Sequence, residues 1–346
     1  MTKKSELKPI TPDAALAFYL DNRRYEVRQS TLRTHTSRIR SFTDWLKSGD
    51  VHNMNDVDLH VVHEYRIYKR EDNGDNPTCN SVTMQGQVST IRRFLEVLGN
   101  FGYVDSDLSE NIPLPVTDPD EESRDVLIDS GRANAILDFL REYRYASPQH
   151  VTFLLMWRTG ARRGGIRALD LKDFDQREMA LSFEHRPETG TPLKNGKRGE
   201  RDVNLTTPVC TVLEDYIDSP NRFSVLDEHN RHPLLTTKFG RPSASTIQNW
   251  IYNLTRPCEI GEPCPHDFDP NSCEFTRYDK ASGCPSSVSP HAIRRGSLTA
   301  FRNAGTPREV VSDRADVSEK ILVEHYDKAS KRQQMRRRRD FIPEDV

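Results

Sequence analysis

Apolar residues recur every three to four positions from about Thr11 to Tyr103, a spacing typical of α-helices that bury one face. Four helices are predicted here: one from Pro12 through Leu20, one capped by Ser30 and reaching about Leu46, one across Val57 to Tyr68, and one from about Ser81 to Leu98. We therefore expect a four-helix domain over residues 11–110, preceded by a tail at 1–10.

The helical pattern stops at a segment rich in proline and acidic residues. Residues 111–122 carry three prolines and an acidic run, which oppose helix formation. We expect a linker at 111–125 and a second domain over residues 126–346.

Beyond the linker, the pattern becomes a mixture of helices and short strands. Helices are predicted at 129–143, 148–158, 209–217, 245–254 and 292–303, and strands at 180–183 and 201–205. A stretch rich in Gly, Pro and Lys joins the two strands. The predicted fold class is mainly α with a small β-sheet, and the sheet lies in a mixed α+β second domain.

Composition narrows the class of protein. The chain has 346 residues, which fits about two domains, with 35% hydrophobic and 29% charged residues. No window approaches the roughly 18 apolar residues of a membrane span, and no apolar segment follows the charged start. We expect a cytoplasmic protein with no membrane partner, whose six cysteines are thiols or metal ligands.

The net charge gives no direct sign of a nucleic-acid partner. Fifty basic and 52 acidic residues leave −2, whereas DNA-binding domains are often strongly basic. The location of the charges matters more than their sum, because one basic face can bind phosphates. The first domain has basic residues largely off its apolar stripes, which are either a solvated face or phosphate contacts: Arg33, Arg38, Arg40, Lys69, Arg70, Arg92 and Arg93.

Three separated stretches carry candidate chemistry. Arg162 follows Thr159 and Gly160 at a predicted helix start, where backbone N–H groups and a guanidinium together favour an anion. His291 and Arg294 are three residues apart and share one face of a predicted helix. Tyr326 is near the end of the chain. Each stretch alone is more typical of a structural role, so only their order along the chain is informative.

That order resembles the tyrosine recombinases, the family of the phage integrases and Xer-type recombinases. The family pattern Thr-Gly-x-Arg, six residues, Leu-x-x-x-Asp is matched from Thr159 to Asp173, and His291, Arg294 and Tyr326 fall on its His-x-x-Arg pair and nucleophile. The resemblance covers nearly the whole chain. It implies a SAM-like core-binding domain followed by a catalytic domain.

A catalytic lysine between the two strands is also implied, with Lys194 the best match and Lys197 the alternative. The chain departs from the family where Arg314 stands in place of a second histidine and Gly165 in place of an acidic residue. Residues 187–190 and 284–287 resemble the haloarchaeal branch of the integrases.

The resemblance implies a site-specific recombinase that cleaves double-stranded DNA through a 3′-phosphotyrosine and acts as a homotetramer on synapsed DNA. Tyr326 would attack the phosphorus, Arg162 and Arg294 would bind the non-bridging oxygens, and His291 would bind phosphate or take the tyrosine proton. Lys194 would protonate the departing oxygen, and Arg314 would add a third cation. No cofactor is expected for catalysis.

Two further features have alternative interpretations. Cys258, Cys264, Cys273 and Cys284, with His266 nearby, are either ligands of a structural zinc or reduced thiols. The basic tail at 331–339 is either a solvated helix end or a contact with DNA or a neighbouring protomer.

Three other functions fit parts of the sequence. A DNA-binding protein of the same fold with weakened catalysis is favoured by Gly165 and Arg314. A type IB topoisomerase would use the same chemistry, and a zinc-braced interaction module would need only the cysteines.

Overall fold

The computed structural model describes residues 6–71, 79–116, 126–220, 222–326 and 335, with the backbone alone for 324–326. Within these ranges the chain is mainly helical with one small three-stranded sheet, as predicted. Its contacts divide it into two units, residues 1–124 and 125–346, each with its own apolar core. The predicted domain bounds stay predictions, and the predicted tail at 331–339 lies outside the described residues except for Met335.

The first unit contains the four predicted helices and one short addition: α1 (Pro12–Arg23), α2 (Gln29–Ser48), α3 (Leu59–Tyr68), α4 (Ser81–Asn100) and α5 (Leu108–Asn111). Thr11, Asp58 and Asn80 cap α1, α3 and α4 by accepting a hydrogen bond from a backbone N–H of the first turn. The predicted cap at Ser30 is wrong. The helix begins at Gln29 and has no side-chain cap, so Ser30 lies within its first turn.

Some of the basic residues of the first unit have a structural role. Arg38 donates hydrogen bonds to the carbonyl of Gly86 at 2.8 Å and to Thr90 Oγ1 at 3.1 Å, which ties α2 to α4. Arg92 donates to the Ser109 carbonyl at 3.0 Å. Arg33, Arg40 and Arg70 are exposed, so they are the better candidates for phosphate contacts.

The second unit is built around a buried helix. Its helices are α6 (Ser130–Tyr143), α7 (Pro148–Thr159), α8 (Arg163–Ala168), α9 (Thr207–Ile217), α10 (Ala244–Leu254), α11 (Pro290–Asn303), α12 (Arg308–Ala315) and α13 (Glu319–Tyr326). Nearly every side chain of α7 is buried, and α7 contacts α6, α9, α10 and α11. None of the helices that the structure describes is long and apolar enough to cross a membrane.

The sheet has the order β1 (Phe174–Asp175), β2 (Ala180–Phe183), β3 (Arg201–Asn204), and both pairs are antiparallel. Leu181 pairs with Val203, and both face the core. The strands β2 and β3 were predicted, whereas β1 was missed because two residues are too few for an alternating pattern. A long connection, residues 184–200, joins β2 to β3.

A buried ion network fixes this connection to the rest of the unit. Arg186 donates to Asp173 Oδ2 at 2.8 Å and also pairs with Asp170. Arg241 in turn pairs with Asp170 and Asp227. The aspartate at the end of the Thr159–Asp173 motif therefore has a structural contact, since it holds Arg186 at the start of the connection.

Candidate functional site

Arg162 is placed by a tight turn between two helices. The helix α7 ends at Gly160, whose backbone is left-handed with φ +62°, and α8 starts with Arg162 as its N-cap. A side chain at Gly160 would be strained at this φ and would also crowd Leu298 at 3.0 Å, so glycine suits the position for two reasons. The turn brings the Gly160 carbonyl and the Arg162 side chain to the same end of α7.

Arg294 lies on α11 and is only 2% exposed. Its Nη1 group donates to the carbonyl of Gly160 at 2.6 Å and to that of Ala315 at 2.6 Å. A buried guanidinium is costly unless its donors are satisfied. Here those donors lock the end of α7 to the end of α12, which fixes the orientation of Arg294.

The two arginines meet at Asp316, the residue that ends α12. Asp316 has a left-handed backbone with φ +52°, and its carbonyl accepts from Arg162 Nη1 at 2.8 Å and from Arg294 Nη2 at 3.4 Å. Its carboxylate Oδ2 also accepts from Arg162 Nη1 at 2.6 Å. We call Arg162, Arg294 and Asp316, with the Gly160 and Ala315 carbonyls, the arginine pocket.

The connection between β2 and β3 is tethered to this pocket. Asn195 Nδ2 donates to Asp316 Oδ1 at 2.7 Å, and a Cβ placed on Gly199 would be 3.1 Å from Asp316 Oδ2. The exposed Lys194 precedes Asn195, and the exposed Lys197 lies between the two contacts. Both candidate lysines are thus carried by a segment that touches Asp316.

The structure does not bring the Arg314 guanidinium to the Asp316 carbonyl. Within the described residues, Arg314 donates to the Arg158 carbonyl at 3.0 Å and to Asn204 Oδ1, and it lies over the Phe301 ring at 5.6 Å. Burial lowers the pKa of the Arg314 guanidinium. These contacts fasten α12 to β3 and α7, and a catalytic role for Arg314 stays a prediction.

The other two predicted site residues, His291 and Tyr326, lie on α11 and α13. His291 is exposed in the first turn of α11, one turn before Arg294. Tyr326 is the last residue of α13, and its side chain lies outside the described residues. The helix α13 is anchored by Leu322, which is fully buried against α11 and α12.

Solved structures with DNA share this architecture. The Tn1549 transposon integrase in complex with transposon right end DNA has a TM-score of 0.67 to this chain at 14% identity, over 96% of this chain and 99% of that one. A lambda integrase dimer bound to a COC′ core site has a TM-score of 0.60 at 12% identity, over 98% and 80% of the two chains. The chain has the tyrosine recombinase fold. No protein-family model and no curated protein matches it by sequence.

Within this tyrosine recombinase fold, sequence reasoning missed Asp316 and Arg201. Arg201 Nε donates to the Arg314 carbonyl at 2.8 Å, and its guanidinium lies 4.3 Å from the centre of the Phe183 ring. Burial lowers the pKa of the Arg201 guanidinium to about 10, although the negative charge of Asp316 raises it in part. Arg201 therefore remains a cation at neutral pH. The only signal in the sequence was a basic residue at the start of a predicted strand.

The departure at Gly165 has a packing explanation. The Phe183 ring lies so close that a Cβ on Gly165 would be 3.3 Å from its Cδ1 atom. A side chain at this position would require a slight shift of the ring on which Arg201 rests. Gly165 therefore fits the local packing of this recombinase fold.

Among the described residues, no three His, Cys, Asp or Glu side chains stand close enough to hold a metal ion as they are arranged. The arginine pocket in particular contains a single carboxylate paired with a guanidinium. Its chemistry is that of fixed cations.

Proposed function

We propose that this protein is a site-specific DNA recombinase that cleaves and rejoins strands through a 3′-phosphotyrosine on Tyr326. The observation that carries the proposal is the meeting of Arg162 and Arg294 at one carbonyl oxygen, that of Asp316. Two guanidinium groups so close together form a centre of fixed positive charge, which suits a phosphate diester. The tyrosine recombinase fold of the chain supports the same function.

In the first step, the Tyr326 oxygen attacks phosphorus while the bond to the 5′ oxygen breaks. The tyrosine proton passes to His291, and the departing oxygen takes a proton from Lys194 or Lys197. The 5′-hydroxyl of a partner strand then attacks the phosphotyrosine and restores the free tyrosine. Bond number is conserved in this exchange, so no external energy source is needed.

The arginine pocket lowers the barrier by stabilising charge on the non-bridging oxygens. The guanidinium of Arg294 is already fixed by two carbonyl groups, so little reorganisation is needed during the reaction. Arg162 is more accessible, with 34% of its side chain exposed. The Nη1 group of Arg162 donates to Asp316. The Nε and Nη2 groups of Arg162 are left to bind a phosphate.

The assembly around this site follows from the proposed reaction. Exchange between two duplexes needs four strand cleavages, which matches a homotetramer on synapsed double-stranded DNA. The exposed arginines of the first unit, Arg33, Arg40 and Arg70, would contact phosphates of the bound DNA. We also propose that the protein acts in the cytoplasm and that it comes from a haloarchaeon.

One observation favours a second candidate, a DNA-binding protein of this fold with weakened catalysis. The Arg314 side chain is engaged by Arg158 and Asn204, away from the Asp316 carbonyl. If no other cation replaces it, the site has fewer donors for the transition state, whereas DNA binding is unaffected.

The deciding experiment is covalent trapping on a library of nicked duplexes with randomised sequence, read on denaturing gels. The wild type should form a protein–DNA adduct that Tyr326→Phe abolishes. Tyr143→Phe, a change at an exposed tyrosine of α6, is the matched control and should trap normally. Covalent trapping that persists in Tyr326→Phe would contradict the proposal.

Two outcomes of the same assay identify the alternatives. DNA binding without any adduct indicates the weakened binder. Trapped sequences that support relaxation of a plasmid but no exchange between two sites indicate a topoisomerase.

A further inference from the structure

A segment with four cysteines precedes α11. We define residues 257–289, between α10 and α11, as the cysteine loop. Its regular structure is limited to three 3₁₀ turns: Pro257–Ile260, Glu274–Thr276 and Ala281–Gly283. Connections of this length without helix or strand are uncommon in compact domains. Something other than an extended backbone ladder must therefore hold the loop together.

The fold gathers all four cysteines around one small apolar pocket. Cys258, Cys264, Cys273 and Cys284 line it together with Phe268 and Phe275. The Phe275 ring lies directly on Gly283, where a Cβ would be 2.5 Å from the ring. This packing brings the segment after Cys273 against the segment before Cys284.

The four thiols are half-buried and form no disulfide. Burial raises the pKa of the Cys258 thiol, and the nearby Cys284 and Cys264 raise it further while Arg256 opposes the shift. The sequence spacing is longer than in the Cys-x₂₋₄-Cys pairs of most structural zinc sites. The fold of the loop, rather than a short motif, is what places the thiols together.

We propose that the cysteine loop binds one structural Zn²⁺ through the thiolates of Cys258, Cys264, Cys273 and Cys284. Four soft thiolates around one small pocket match the tetrahedral preference of zinc. His266 is not needed as a ligand, because its Nε2 atom is hydrogen-bonded to Ser286 Oγ at 2.8 Å. Binding displaces four thiol protons and leaves the oxidation states unchanged.

As they stand, the described thiols are not arranged to hold a metal ion. Zinc–sulfur bonds of about 2.3 Å therefore draw the four side chains further into the pocket. The pocket that the four cysteines line is small, with a volume of about 20 Å³, so their side chains converge on one confined space. The proposal thus includes a measurable tightening of the loop.

The loop is continuous with the helix that carries His291 and Arg294. The backbone N–H of Val288 donates to Thr255 Oγ1 at 2.9 Å, and Arg132 donates to the Ser286 carbonyl at 2.7 Å. These bonds fasten the end of the loop to α10 and α6. Zinc in the loop would fix the start of α11 without taking part in the reaction.

The test is the zinc content of the full-length protein, purified with reductant from zinc-supplemented cultures and measured by mass spectrometry of the metal. We expect about one zinc per chain, as for a closed four-thiolate site. Cys273→Ser and Cys284→Ser should lower the content at least about fivefold, as expected when a closed site loses one of four ligands. Cys79→Ser and Cys210→Ser remove cysteines outside the pocket and should leave it unchanged.

A cobalt titration of the wild-type protein keeps the test decisive if a serine variant fails to fold. Tetrahedral cobalt thiolate has characteristic absorption bands, and displacement by zinc should abolish them. The proposal would be overturned if the wild-type protein contains no zinc as purified and also develops no such bands with cobalt. Disulfides among the four cysteines in the purified protein would overturn it as well. Neither result bears on DNA cleavage, which the trapping assay tests separately.

Discussion

The arginine pocket and the cysteine loop belong to the same unit, but they are held together in different ways. The pocket joins the ends of α7 and α12 through hydrogen bonds from a buried arginine to backbone carbonyls. The loop has three short turns and a small apolar pocket lined by thiols. The comparison indicates that the pocket is preorganised by hydrogen bonds of the polypeptide itself, whereas the loop is where we propose an added cross-link.

The largest effect is expected at Arg294. Arg294→Ala leaves the Gly160 and Ala315 carbonyls without their donor, which should cost about 3–5 kcal/mol of unfolding free energy. Arg294→Lys keeps a cation but loses the forked donor geometry, so it should fold and yet lower trapping by about 100-fold or more. Urea unfolding and covalent trapping measure the two effects. Normal trapping by Arg294→Lys would contradict a preorganised pocket.

Chelation should affect the loop next. Removal of the proposed zinc should lower the melting temperature by about 5–10 °C, equivalent to roughly 2–3 kcal/mol for a unit of this size. Calorimetry with and without a chelator measures the shift, and readdition of zinc should restore it. Cys210→Ser should respond to chelation like the wild type. A protein indifferent to the chelator would mean that the loop is held as firmly as the pocket.

Acid should weaken the scaffold of the pocket through His150, in the first turn of α7. His150 is 3% exposed, and its Nδ1 accepts the N–H of Ala146 at 3.2 Å. Burial, aided by Arg141, lowers its pKa to about 4.

Since the folded pKa lies below the unfolded value, the unfolded state binds more protons at intermediate pH. The stabilisation is therefore present above about pH 6.5 and is lost as pH falls towards 4, by about 2 kcal/mol at pH 5. Urea unfolding between pH 5 and 7 measures this. His150→Asn should flatten the dependence, whereas His60→Gln, a change of an exposed histidine, should leave it steep.

The smallest effect is expected for Asp316→Asn. Asparagine tolerates the left-handed backbone and still accepts a hydrogen bond from Arg162, but it removes the charge that orients this guanidinium. We expect about tenfold less trapping with little loss of stability, since one charge-assisted bond becomes a neutral one. Asp313→Asn, on the exposed side of α12, is the control. Faster trapping in Asp316→Asn would instead mean that the carboxylate competes with the DNA phosphate.

Periodic elements were predicted well from the sequence, because burial of one face leaves a regular apolar spacing. The helices around Ile136 and Trp250 and the strand pair containing Leu181 and Val203 are examples. The helices α8, α12 and α13 and the strand β1 are short, and the sequence pattern did not delimit them. The cap at Ser30 failed because α2 begins at Gln29, with Arg28 at the N-cap position, two residues before the predicted cap.

The candidate site was predicted in part. The resemblance identified Arg162 and Arg294, which the structure brings together, whereas Asp316 was not foreseen. The role of Asp316 in the pocket depends on its left-handed backbone and on its carbonyl oxygen. Neither feature can be read from the pattern of side chains in the sequence. The position of the Tyr326 hydroxyl remains a prediction.

The backbone of Asp316 also has a consequence for engineering. A non-glycine residue at φ +52° carries about 1 kcal/mol of strain, so glycine would be the obvious choice of a designer seeking thermostability. That change would delete the carboxylate on which Arg162 and Asn195 converge. At residue 316, thermostability and catalytic turnover are therefore expected to oppose each other. Variants selected for one property should be measured for both.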